Sequence, residues 1–427
     1  MKRRVIEPEE KLSILETVPL SLQHLFAMFS ATVVIPVLFH INPSTVLFFN
    51  GLGTIFYLII CKGKVPAYLG SSMAFISPVF IVLSRYNYEY ALGGFVAVGG
   101  ILCIIGFLIK LIGTKWIDFL FPPAAMGAIV SVIGLELLPF AAKMAGFTGI
   151  NTNIKVILVS MLTLTIAIFS MVIFKWFLSL ISILFSIICG YIIAYLLGMV
   201  DLSTVKTATW FSLPTFYKIR FSFDAISVIL PVSFVIIAEH IGHFIVTGNI
   251  MERNIMKDPG LARSFLGNGF STIVSGCFGS TPNTTYGENI GVLAITKVFS
   301  TWVIGYAAIF AIILSFVGKL SALIQSIPTA VMGGISLVLF GVIAVSGIRI
   351  LIEKKVNYNE PKNLAITSAV LGIGVSSISV TISSVVLKGM TLATVVAMIL
   401  SISFNIVEYI YKYFNKNKRH ITTIHNI

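Results

Sequence analysis

Three acidic side chains, Glu136, Glu239 and Glu288, lie inside long apolar stretches of the chain. A carboxylate in hydrocarbon is costly enough that its presence points to a functional role. Glu239 opens Glu239-His240-Ile241-Gly242-His243, and Glu239 and His243, four apart, share one face of a helix. A carboxylate and an imidazole so placed can exchange protons with water or a bound molecule. The competing role is a structural polar pair that bonds neighbouring helices. His240 lies about 100° round the same helix and reads as structural. Glu288 follows Gly287 at the start of a short helix, where the helix dipole favours its anionic form. Glu136, in Gly134-Leu135-Glu136-Leu137-Leu138, sits near one end of its stretch, and His24 stands beside Gln23 in the first; both are weaker signals.

Ionised carboxylates only accept hydrogen bonds, whereas the free N–H groups at a helix start only donate. A planar cyclic imide satisfies both, offering ring N–H groups to Glu239 and Glu288 and carbonyl oxygens to backbone amides. A metal ion would want more oxygen ligands and no N–H donors. The residues thus define a small, polar, neutral molecule, with no metal and no cofactor. Cys61, Cys103, Cys189 and Cys277 fall singly in apolar stretches and read as buried small hydrophobes. With no metal-ligand cluster, phosphate loop or nucleophile elbow, the chain does not read as an enzyme.

Two segments must position this chemistry. Val65-Pro66-Ala67-Tyr68-Leu69-Gly70-Ser71-Ser72-Met73 and Gly279-Ser280-Thr281-Pro282-Asn283-Thr284-Thr285-Tyr286-Gly287 are too rich in Pro, Gly and hydroxyl residues for continuous lipid-facing helices. Irregular backbone at membrane depth survives only where protein or a cavity surrounds it. The expected solution is a short extended segment followed by a half-helix whose N-terminus points at the membrane centre.

The surrounding chain is membranous. Of 427 residues, 57% are hydrophobic and 11% charged, with a mean hydropathy of +1.01. A water-soluble protein could not hide that much apolar surface. At about 20 residues per crossing, apolar stretches fall near 18–39, 44–60, 66–84, 90–113, 118–139, 153–173 and 177–199. A second set falls near 224–248, 262–278, 281–296, 299–317, 327–348, 363–382 and 389–411. With the N-terminus in the cytoplasm and fourteen crossings, 21 of the 29 Lys and Arg residues fall on the cytoplasmic side and 8 outside, which also places the C-terminus inside. The net charge of +13 is therefore topological and does not read as nucleic-acid binding. The charged N-terminus carries no cleavable signal pattern, so the first stretch is expected to stay in the mature protein.

The two halves also echo each other. FPPAAMGAIVSV (121–132) aligns without gaps with IPTAVMGGISLV (327–338), Asn50-Gly51-Leu52-Gly53-Thr54 parallels Asn268-Gly269-Phe270-Ser271-Thr272, and Gly70-Ser71-Ser72 parallels Gly279-Ser280-Thr281. Seven crossings per repeat is odd, so the second copy must be inverted, as in secondary transporters.

Glu288-Asn289-Ile290-Gly291-Val292-Leu293-Ala294-Ile295-Thr296-Lys297 matches the signature of the nucleobase–ascorbate transporter family, [Gln/Glu/Pro]-Asn-x-Gly-x-x-x-x-Thr-[Arg/Lys/Gly], and Gln23-His24 matches its Gln-His motif. The chain resembles that family over essentially its whole length, and most closely its bacterial uracil:proton symporters. The resemblance implies an all-α polytopic membrane protein with fourteen spans in two inverted seven-span repeats. It implies short antiparallel strands in spans 3 and 10, a core domain (18–113 and 224–317) and a gate domain (118–199 and 327–411). It further implies uracil binding by the side chains of Glu239 and Glu288 and the amides of Gly287 and Met73, beside Tyr286, with proton coupling through His243 and Glu239. Met73 departs from the Phe expected at its position, which keeps a backbone donor but loses aromatic packing on the substrate. Partners implied are uracil, protons, the lipid bilayer of the bacterial cytoplasmic membrane and a second copy through the gate domain. The Glu at the first signature position favours uracil; the alternatives are a xanthine or other purine symporter and, on a related seven-plus-seven plan, an anion exchanger, which two carboxylates would disfavour.

Overall fold

The computed structural model describes residues 5–148, 153–175, 181–376, 378–382 and 385–424. Residues 1–4, and 177–180 at the start of the seventh expected stretch, lie outside the described residues.

Helix α1 (Ile14–Phe39) starts at Ser13, whose hydroxyl accepts the Glu16 N–H while the Glu16 carboxylate accepts the Ser13 N–H. It ends at His40, and α2 (Pro43–Ile60) begins with the Asn42 side chain accepting the Ser44 N–H at 2.9 Å. The chain then straightens into β1 (Leu69–Ser71), makes a tight helical turn over Met73–Phe75, and continues as the half-helix α3 (Ile76–Leu83). Next come α4 (Tyr88–Ile112), α5 (Lys115–Leu120), α6 (Pro123–Met144), α7 (Ile154–Ile173) and α8 (Ser182–Leu196). After the short α9 (Ser203–Thr207), the second half opens with α10 (Phe223–Ile229), α11 (Val232–Met251) and α12 (Leu261–Cys277). It too reaches an interruption, β2 (Asn283–Thr285) followed by the half-helix α13 (Gly287–Thr296). Helices α14 (Thr301–Ser315), α15 (Gly318–Gln325), α16 (Thr329–Glu353), α17 (Pro361–Val375) and α18 (Gly389–Ile424) complete the chain, with a hairpin of β3 (Ser379–Ile382) and β4 (Val385–Lys388) before the last.

Eight helical stretches among the described residues are long and apolar enough to cross a membrane, and three shorter apolar helices accompany them. Large apolar side chains such as Ile154, Phe169 and Val172 point outward, as a lipid-facing surface requires.

Equivalent helices of the two halves pack against each other. Gly127 of α6 approaches Gly347 and Leu351 of α16, while Gly134 approaches Phe340 and Ala344, so the pair runs antiparallel. The two segments that align in sequence, 121–132 and 327–338, span the starts of these two helices. A second contact between the halves, of helices that are not equivalent in the repeat, brings Gly99 of α4 to Gly269 of α12 and Gly106 to Ala262. A Cβ on Gly134 would stand 2.2 Å from the Phe340 carbonyl oxygen, so the backbones approach as closely as small residues allow.

The two interruptions meet. β1 and β2 pair antiparallel, with Leu69 opposite Thr285, Gly70 opposite Thr284 and Ser71 opposite Asn283. The Ser72 N–H donates to the Pro282 carbonyl at 2.9 Å and the Tyr286 N–H to the Tyr68 carbonyl at 3.1 Å, extending the ladder by a bond at each end. The repeated Asn-Gly-x-x-Thr motif explains how each strand is held. Thr54 accepts the Leu69 N–H at 2.9 Å, and Thr272 donates to the Asn283 carbonyl at 2.9 Å.

Two expected stretches differ in detail. The stretch 224–248 is broken between α10 and α11, where Pro231 lacks the N–H that a continuous helix needs. The stretch 363–382 is helical only to Val375, and the β-branched residues of 379–382 and 385–388 pair as a hairpin.

The closest approach in the ladder is at Gly70, where a Cβ would stand 2.0 Å from the Tyr286 ring. Gly70→Ala should therefore destabilise the purified protein by about 1–3 kcal/mol, read as a lower thermal midpoint in detergent. Unchanged melting would show that the ring moves away freely.

Candidate functional site

Pairing the strands brings the two half-helices together, so the starts of the turn at Met73 and of α13 at Gly287 face one region. A cavity of about 260 Å³ lies there, lined on one side by Ser71, Met73, Glu239, His243, Thr284, Thr285, Tyr286, Gly287, Glu288 and Gly291. The other side is Val130 and Ile133 of α6 and Val342, Ile343, Ser346 and Arg349 of α16. All six residues expected to bind substrate or handle protons thus converge on one cavity from three places in the sequence.

Glu239 projects from α11, and its Oε2 is shielded from solvent with no hydrogen-bond partner. The Glu239 side chain also lines the cavity, so the carboxylate is placed between a shielded protein interior and that space. Glu288 occupies the first turn of α13 beside the Gly287 amide. The first N–H groups of a helix have no intrahelical acceptor, which sets donors beside the two carboxylates.

His243 lies on the same helix face as Glu239, but no hydrogen bond joins the two among the described residues. Its Nδ1 pairs with the Thr285 hydroxyl at 3.1 Å, and its Nε2 lies 3.4 Å from where a Cβ on Gly287 would stand. The imidazole is thus fixed against β2 and the start of α13. The Tyr286 hydroxyl donates to the Ser71 carbonyl at 2.9 Å, locking the ring over Gly70. Met73 is buried, with its side chain on the cavity wall.

The remaining polar candidates serve other contacts. His240 meets the Ser264 hydroxyl at 2.8 Å, and Tyr57 meets the same hydroxyl at 2.6 Å, so His240 is a buried packing group. His24 is tied to Asn289, whose amide donates to the His24 carbonyl at 3.0 Å and lies 3.1 Å from its Nδ1. His24 and Asn289 therefore dock α13 on α1. Glu136 lies outside the cavity. Arg349 was not singled out in the sequence because it sits just past the end of an apolar stretch and reads as one of the topological charges; it pairs with Glu353 at 2.7 Å. The clue was an arginine one turn from the small polar Ser346 on a helix otherwise apolar along that face. Among the described residues no three His, Cys, Asp or Glu side chains cluster as a metal site.

A polar cavity between paired, interrupted helices in a bundle of apolar helices defines a multi-pass membrane transport protein. Residues 15–383 match the model of a permease family. The chain belongs to this permease family, the nucleobase–ascorbate transporters. It is 57% identical over 414 residues to the uracil permease of Paenibacillus larvae, covering 96% of this chain and 98% of that protein. It is also 57% identical over 411 residues to the uracil permease of Escherichia coli strain K12, covering 96% of each. Among solved structures, SLC26A9 superposes with a TM-score of 0.71 at 10% identity over 93% of this chain and 66% of that one. The transmembrane domain of the cyanobacterial bicarbonate transporter BicA gives 0.65 at 14% identity over 92% and 99%. The fold is thus shared with transporters of otherwise unrelated sequence.

Asn289→Ala should remove the α13–α1 tie and leave the buried His24 Nδ1 without its Asn289 partner, costing about 1–3 kcal/mol. The measurement is the thermal midpoint in detergent, and an unchanged value would mean that the tie does not hold the half-helix.

Proposed function

We propose that this chain imports uracil across the bacterial cytoplasmic membrane by proton symport. The observation that carries the reading is that the Glu239 and Glu288 side chains line one cavity together with the Gly287 helix start. Uracil complements it, with ring N–H groups for the carboxylates and carbonyl oxygens for the amides of Gly287 and Met73. The two uracil permeases at 57% identity support that substrate over a purine. The shared fold alone would also fit an anion carrier, but Glu239 and Glu288 would repel an anion there.

In this reading residues 18–113 and 224–317 form a core domain that carries the substrate. Residues 118–199 and 327–411 form a gate domain that supplies the facing wall, and through which two copies would pair. Both termini lie in the cytoplasm. Alternating access follows from movement of the core against the gate. Glu239 and His243 carry the proton, each acting on the cavity through its own contacts. With Nδ1 engaged by Thr285, the Nε2 of His243 is the atom that faces the Gly287 side of the cavity.

Radiolabelled uracil uptake into proteoliposomes tests this. Accumulation should follow an inward proton gradient, and unlabelled uracil should compete while xanthine does not. Gradient-independent uptake would refute symport; block by xanthine would make the substrate a purine. Glu288→Gln puts an amide donor against a ring N–H and should weaken uracil binding by roughly ten- to a hundredfold, as measured by calorimetry. Glu239→Ala should lose binding, whereas His243→Ala should still bind but lose gradient-driven accumulation. Wild-type accumulation by His243→Ala would route the proton through Glu239 alone.

A further inference from the structure

One buried carboxylate plays no part in the cavity. Glu136 of α6 accepts the Ser77 hydroxyl at 2.9 Å on Oε1 and the Met390 N–H at 2.8 Å on Oε2. The second contact is built in on the α18 side: Gly389 has φ +52, and a Cβ there would stand 2.3 Å from the carboxylate. A side chain at 389 would therefore suffer both the wrong backbone region and a clash. The first contact crosses to α3, the half-helix that continues from Met73. One turn further along both helices, Phe80 and Phe140 pack with ring centroids 4.7 Å apart.

Together these contacts lie just beyond one end of the cavity. Ile133, on the cavity wall, is three residues before Glu136, and Met73 is four before Ser77. At the opposite end the cavity continues between α13 and α16 as far as Ser346 and Arg349. The two half-helices are thus treated differently: α3 is fastened to the facing wall, whereas α13 is separated from its wall by the cavity itself.

We propose that the Glu136–Ser77 hydrogen bond, with the Phe80–Phe140 contact beside it, is the latch that holds the outer entrance shut, and that it must break for the site to face outward. Glu136 is a positioning residue: it stays with the gate through Met390 and releases the core through Ser77. The assignment of this end as outer rests on the transport reading and its topology. A ligand-free equilibrium between two states moves by the free energy of any contact made in only one of them. Losing Ser77 should therefore populate the outward-open state.

The test uses single-cysteine reporters in a background with Cys61, Cys103, Cys189 and Cys277 replaced and uracil binding verified. Ile133→Cys is labelled with a membrane-impermeant maleimide from outside, and Ser346→Cys from inside in inverted vesicles. Ser77→Ala should speed the outer reaction about tenfold and slow the inner one. Glu136→Gln should act in the same direction, and Ser77→Thr, which keeps the hydroxyl, should restore both rates. Unchanged rates would overturn the latch. So would a rise at both faces, which marks general loosening, or a failure of Ser77→Thr to restore. Opposite changes with the faces exchanged would keep the latch and overturn the topology. Uracil protection of Ile133→Cys, measured without the latch variants, reports separately on the substrate reading.

Discussion

Backbone polar groups in the middle of a membrane must find partners within the protein. This chain breaks two helices at that depth and satisfies the exposed groups by pairing the breaks with each other. Three residue pairs of β1 and β2, flanked by the Ser72–Pro282 and Tyr68–Tyr286 bonds, replace the lost helical ladder. Neither strand has another strand partner among the described residues. Each strand is instead fixed from behind by a threonine of the repeated motif, Thr54 or Thr272. Ser71 and Thr281 join their hydroxyls at 2.6 Å across the pair. The two halves of the chain therefore cannot complete their membrane cores independently.

The cavity is a consequence of that pairing. Antiparallel strands send the following half-helices off opposite ends of one three-residue ladder, so their starts at Met73 and Gly287 border the same cavity while their bodies diverge. Glu239 and His243 reach the same space from α11, and the tie between Asn289 and His24 keeps α13 from drifting off α1. A bicarbonate transporter shares the architecture, whereas in this chain two carboxylates, Glu239 and Glu288, line the cavity.

Much of this was legible in the sequence because the costs involved are large. Pro, Gly and hydroxyl residues inside apolar stretches marked both interruptions, and two of the three intramembrane carboxylates, Glu239 and Glu288, line the cavity. The repeated Asn-Gly-x-x-Thr and Gly-Ser-Ser/Thr segments pointed to related halves, although their roles as strand anchors appear only once the strands pair. What escaped was long-range partnership. The spacing of Glu239 and His243 says that they share a face, not that His243 turns to Thr285. Nothing local to Glu136 indicates Ser77, 59 positions earlier, or the Met390 amide, 254 later. The hairpin at 379–388 was masked because its β-branched residues are as apolar as a membrane helix. Arg349 was absorbed into the charge bias from which the topology is read.

In the proposed transport cycle the paired interruptions form the binding site itself. Hydrogen–deuterium exchange of the detergent-purified protein, with and without uracil, measures this at the backbone. Amides in peptides covering 68–76 and 283–291 should exchange more slowly with uracil bound, because those segments hold both the strand ladder and the helix starts that face the cavity. Protection confined to other helices, with these two segments unchanged at saturating uracil, would contradict the account.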